Sequence, residues 1–161
     1  MRLMHFAAER VEVLYAVVQD VKHPRDFGPK PKGLWVSDED DYGWAEWCAG
    51  NQFGDDRLVV AHEVLLADDA RLLTLTSAEE IDAFTDRYGR PRDAGYYWAD
   101  WPAVAESYQG ILITPYIYQR RMTNHTSWYY PWDCASGCIW DPVAIADIRV
   151  VEYVMQRRDE P

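Results

Sequence analysis

Three separated stretches of this sequence carry side chains that can do chemistry. The first is Met4-His5-Phe6, with an imidazole close to the chain start. The second is Gly33-Leu34-Trp35-Val36-Ser37, an apolar run that ends in an indole and a hydroxyl, with the phenol of Tyr42 a little further on. The third is the aromatic run Trp128-Tyr129-Tyr130-Pro131-Trp132-Asp133, followed by Ser136 to Ile145. An imidazole can hydrogen-bond a ligand hydroxyl. An indole face attracts a flat cationic ring by about 0.5–2 kcal/mol. A carboxylate such as Asp133 can face positive charge as it develops in a transition state. Each side chain also has a plainer reading: a hydrogen-bonded structural histidine, a core tryptophan, a helix cap at Ser37 and a surface turn at Asp133. Cys134 and Cys138, with Cys48 and His125, would number four zinc ligands, but the spacing is not the pair-and-pair pattern of a structural zinc site. Buried free thiols are the simpler reading, and no metal is expected. Glycine-rich phosphate loops, GxSxG and HExxH are all missing.

The elements that must position these groups can be read from periodicity. Residues 2–6 predict a short strand. Val11, Leu14, Tyr15 and Val18 at i, i+3, i+4, i+7 predict a helix over 8–20. A Pro- and Gly-rich loop runs from His23 to Lys32, and residues 33–37 predict a second strand. Ser37 followed by Asp38, Glu39, Asp40 and Asp41 predicts a helix N-terminus, with Trp44, Trp47 and Cys48 on one face toward the sheet. Strands are expected at 57–66 and 70–75, joined by a turn at Asp68-Asp69. Ser77-x-x-Glu80 is a capping box for a helix with Ile81 and Phe84 inward, closing near Tyr88-Gly89. Next come a loop over 90–100, a short helix from Trp101 to Tyr108 and a strand over 110–114. A long aromatic loop over 115–133 follows, then strands at 138–140 and 147–156 about a turn at Pro142. The sum is an α+β fold: one compact domain over residues 1–156, with short, mostly antiparallel strands around a cleft, flanked by helices, and a frayed end at 157–161.

Composition narrows the function. A chain of 161 residues fits one domain. Eight Trp and eleven Tyr predict a core or cleft built from large flat side chains with polar tips. Sixteen basic against 27 acidic side chains give a net charge of −11, which disfavours a general nucleic-acid-coating role. Arg120-Arg121 is a small basic spot that could help position a phosphate-bearing cofactor or a target. Three cysteines point to a reducing, cytoplasmic setting. Glu9, Arg10 and Glu12 interrupt the start, so neither a signal peptide nor a membrane span is expected.

In these stretches the sequence resembles the ADP-ribosyltransferase superfamily, in the branch with a His–Tyr–Glu-type triad. The resemblance implies that His5, on the opening strand, orients the adenosine ribose of NAD. It implies that Trp35 or Tyr42 holds nicotinamide and that Ser37 helps fix the nicotinamide ribose. The run Gly137 to Ile145 has the shape of the family's third element. The chain departs from the pattern where the catalytic acid is expected: Ser136 stands there, and the nearest acids are Asp133 and Asp141. On this resemblance Asp133 takes the catalytic role. The reading that follows is an NAD-binding transferase, with NAD as substrate, that moves ADP-ribose to a protein or nucleic-acid target. The rival reading, drawn from the −11 charge and the missing acid, is a non-catalytic acidic protein that engages or inhibits a basic partner.

Overall fold

The computed structural model describes residues 1–20, 30–53 and 60–152. Short apolar runs bounded by turn residues become strands. β1 (Leu3–Ala7), β2 (Leu34–Asp38), β3 (Val60–Leu66) and β4 (Leu72–Leu75) are followed by β5 (Gly89–Pro91), β6 (Tyr97–Ala99), β7 (Gly110–Ile113), β8 (Ser136–Ile139) and β9 (Ile145–Val151). Seven of them form one sheet in the order β4-β7-β8-β2-β1-β3-β9, and β5 and β6 pair separately. Every pairing is antiparallel except β4 with β7. Four α-helices are described: α1 (Trp44–Asn51), α2 (Ala78–Tyr88), α3 (Trp101–Ala105) and α4 (Tyr118–Arg121). The α+β class and the mostly antiparallel sheet therefore stand as expected.

Alternation along β7 divides the core. Ile111 and Ile113 join a large aromatic cluster with Phe84, Trp101, Trp128 and Trp132. Leu112 joins a smaller aliphatic cluster with Leu3, Val36, Val64 and Ile139. Successive strand residues point to opposite faces, so a strand covered on both faces is apolar throughout. β8 lies close enough to β7 that a Cβ on Gly137 would strike the Ile111 carbonyl oxygen and come within 2.8 Å of Leu112 Cα. Only glycine fits there. α2 starts as its capping box predicts: Glu80 N donates to Ser77 Oγ at 3.2 Å, and Ile81 and Phe84 are buried.

Elsewhere tertiary contacts override the local signal. Residues 8–20 are not helical. Two of their backbone N–H groups bond to distant residues instead: Val11 N donates to His62 Nε2 on β3 at 3.0 Å and Val17 N to Trp140 O, just past β8, at 2.8 Å. Gln19 clamps Lys32, its amide donating to Lys32 O at 2.7 Å and accepting from Lys32 N at 3.0 Å. Tyr15 is 77% and Val18 86% exposed, so the apolar stripe has no surface to bury against. Ser37 is not a cap. It stays in β2, and α1 begins later, at Trp44, whose N donates to the Glu39 carboxylate at 2.9 Å. Trp44 and Trp47 are half-buried and stacked on each other at 4.9 Å, rather than sealed in the core. The expected loop at 90–100 contains the β5–β6 hairpin. The expected aromatic loop at 115–133 contains α4 and a 3₁₀ turn at Ser127–Tyr129. Its aromatic tips tie it down: Trp128 Nε1 donates to Thr85 Oγ1 at 2.7 Å, and Tyr116 OH donates to Trp132 O at 3.1 Å. Residues 57–59 of the third expected strand lie outside the described residues, as do most of the 23–32 loop and everything after 152.

Candidate functional site

β1 and β2 pair over only two positions, Leu3 with Asp38 and Met4 with Ser37. Beyond Met4, β1 continues along β3, while β2 runs along β8. Where the two strands part, a cleft of about 260 Å³ opens. His5, Trp35, Ser37 and Asp133 all line it, so four of the five side chains singled out in the sequence converge. Tyr42 is not among the lining residues. It stacks on Tyr116 at 5.8 Å, and its carbonyl accepts from Ala135 N at 2.8 Å. Lys30, Trp44, Cys134 and Ser136 complete much of the wall.

The hydrogen bonds fix which atoms remain for a ligand. His5 Nδ1 lies 2.7 Å from the Trp35 carbonyl oxygen, which can only accept, so Nδ1 carries the proton. Nε2 is then an acceptor in the neutral ring. Ser37 Oγ donates to Glu39 Oε1 at 2.5 Å, and Ser136 Oγ donates to Cys134 O at 3.0 Å. Ser37 and Ser136 face each other across the β2–β8 ladder with their hydroxyl protons committed, leaving lone pairs. Asp133 accepts from Arg121 through Oδ1 at 2.6 Å, which leaves Oδ2 for a ligand. The cleft therefore presents hydrogen-bond acceptors beside a half-buried indole. Trp35 itself is held edge-on by Trp132, 5.1 Å away.

Burial lowers the His5 pKa, and the neighbouring His62, 5.7 Å away between ring centroids, lowers it further against the Trp35 bond. The native state thus holds the His5 proton less tightly than the unfolded chain. Stability from this group is full above the unfolded value of about 6.5 and declines as pH falls through it toward the depressed native value. Between about pH 7.5 and 5.5 the wild type is expected to lose more melting temperature than His5→Gln, whose amide can still donate to Trp35 O. Thermal melts across that range check this; equal losses in the two proteins would contradict it.

Sequence reasoning missed two participants. Glu39 reads as helix-terminal charge, yet it anchors Ser37 through a short turn. Lys30 reads as loop, yet its ammonium enters the cleft. Ser136, which stands where the resemblance expects an acid, lines the site. The three cysteines are buried free thiols. Burial pushes Cys134, in the cleft wall, up to about 12, so it stays protonated and unreactive at neutral pH. Among the described residues no group of three or more His, Cys, Asp or Glu side chains could hold a metal ion.

A second cavity of about 620 Å³ is lined by Tyr97, Trp98, Tyr130, Arg92 and Arg121. The Arg121–Asp133 ion pair joins its lining to that of the first cleft. No family model, curated protein or solved structure matches the chain. No helix among the described residues is long and apolar enough to cross a membrane.

Proposed function

We propose that this chain is an ADP-ribosyltransferase-like protein, binding NAD in the β1–β2 cleft and moving its ADP-ribose to a macromolecular target. One observation carries the reading. The cleft offers His5 Nε2, Ser37 Oγ, Ser136 Oγ and Asp133 Oδ2 as acceptors beside an indole. Ribose hydroxyls are donors of the matching kind, and a flat cationic ring suits the indole. At about 260 Å³ the cleft has room for part of the dinucleotide, with the rest of it beyond. In this reading His5 accepts from the adenosine ribose, Trp35 faces nicotinamide and Ser37, braced by Glu39, fixes the nicotinamide ribose. Breaking the bond to nicotinamide builds oxocarbenium-like charge on the ribose, which the Asp133 carboxylate faces. Tyr42 acts on the cleft wall rather than on the ring directly, through its carbonyl, which accepts from Ala135 N between Cys134 and Ser136.

Incubation of the purified protein with NAD, followed by detection of free nicotinamide, tests the proposal. Time-dependent release is expected, and its absence at millimolar NAD would count against transfer. The rival, a non-catalytic acidic protein that binds a basic partner, draws on one observation. Arg121 already neutralises much of the Asp133 charge, at 2.6 Å. Ligand binding without release would favour it.

A further inference from the structure

Lys30 lies four residues before the start of β2 and, among the described residues, is the one lysine or arginine that lines the β1–β2 cleft. Its side chain is exposed overall, but the ammonium turns inward, 4.5 Å from the Trp35 ring centroid and 5.8 Å from that of Trp132. Asp133, the carboxylate that acts on it, is already held by Arg121 at 2.6 Å. Among the described residues no carboxylate lies within 4.0 Å of the Lys30 ammonium. Protein crowding around the ammonium pushes its pKa down from the ordinary lysine value, against the opposing pull of Asp133. The cleft thus has a cation at its mouth with an aromatic face for a partner and, among the described residues, no carboxylate in ion-pair contact.

We propose that Lys30 receives the diphosphate of a nucleotide ligand at the cleft mouth, and that in the free protein its ammonium occupies the Trp35 face that a cationic ligand ring would take. The proposal rests on the dinucleotide reading above. A cation on an accessible indole is held weakly compared with a charge-assisted pair to phosphate. A positively charged ring and the Lys30 ammonium compete for Trp35. A ligand that brings both the ring and a diphosphate removes the conflict, because the ammonium leaves the indole for the anion. A cationic ring without phosphate gives the ammonium nowhere to go.

The two halves of such a ligand should respond to loss of Lys30 in opposite directions. Calorimetric titration of wild type, Lys30→Met and Lys30→Arg with ADP-ribose, and separately with 1-methylnicotinamide, reads this out. Lys30→Met should weaken ADP-ribose binding by about tenfold or more and flatten its salt dependence, the loss of one charge-assisted contact. The same variant should tighten 1-methylnicotinamide several-fold, and Lys30→Arg should retain ADP-ribose binding. Melting curves check that all three proteins are equally folded. ADP-ribose binding that is indifferent to Lys30→Met, or a folded wild type with no affinity for ADP-ribose at millimolar concentration, overturns the proposal. A parallel fall in affinity for both probes overturns it too, since that reports a general change of cleft shape. ADP-ribose binding that depends on Lys30, in a protein that releases no nicotinamide from NAD, would support the diphosphate site while rejecting the transferase reading.

Discussion

Trp132→Ala is expected to lower the unfolding free energy by about 3–5 kcal/mol, the cost of emptying a large aromatic site in a close-packed core. Trp132 is fully buried, with ring centroids of Trp35, Trp128, Tyr129 and Trp101 between 5.1 and 6.0 Å away. Its indole N–H donates to Ser136 O at 3.3 Å and its carbonyl accepts from Tyr116 OH at 3.1 Å. It also precedes Asp133 and braces Trp35, so the core and the cleft share this one side chain. Trp132→Phe keeps most of the apolar contact and loses the bond to Ser136, so it should cost less than the alanine variant, about 1–3 kcal/mol. Urea denaturation of the three proteins measures both steps. A loss below about 1 kcal/mol for Trp132→Ala would show that the aromatic cluster is not a close-packed support for the cleft.

Asp133→Asn is expected to lower nicotinamide release by about 10²–10³-fold, in the range found when one electrostatic contact to a transition state is removed. The amide keeps the size of the carboxylate and can still accept from Arg121, but its NH2 then replaces Oδ2 as the group facing the ribose, so NAD affinity should fall by no more than about tenfold, less than the rate. The reason for the split is that oxocarbenium-like charge exists only as the bond breaks. Steady-state rates paired with direct binding separate the two quantities. Equal losses in rate and affinity would assign Asp133 to ground-state binding, and an unchanged rate would remove it from the chemistry. Arg121 bears on this result because it accounts for one of the two carboxylate oxygens, at 2.6 Å.

Much of the site was legible because it lies on short strands. The opening strand with His5 and the strand with Trp35 and Ser37 follow from apolar runs bounded by turn residues, and they did converge. The Ser77–Glu80 cap was legible for a similar reason: its partners are three residues apart. The errors arose where the decisive partner is far along the chain. The apolar stripe over 8–20 reads as a helix, but His62 and Trp140 capture two of its backbone N–H groups. Ser37 reads as a cap, but the β8 ladder and Glu39 claim it. Lys30 has no local signal, because its importance comes from an indole whose position depends on Trp132. The run over 115–133 reads as a long aromatic loop, and its order comes from buried indoles that bond to α2 and β8.

Calorimetric titration with NAD, of wild type, Trp35→Ala and His5→Ala, each paired with a melting curve, tests the claim that the β1–β2 cleft is a dinucleotide site. Binding to wild type is expected, weakened by about 1–3 kcal/mol in Trp35→Ala, which loses an aromatic face and its buried area. His5→Ala should weaken it by about 0.5–1.5 kcal/mol, the net value of one hydrogen bond. A folded wild type that gives no heat of binding at millimolar NAD would contradict the account, as would variants that lose affinity only in step with their loss of stability.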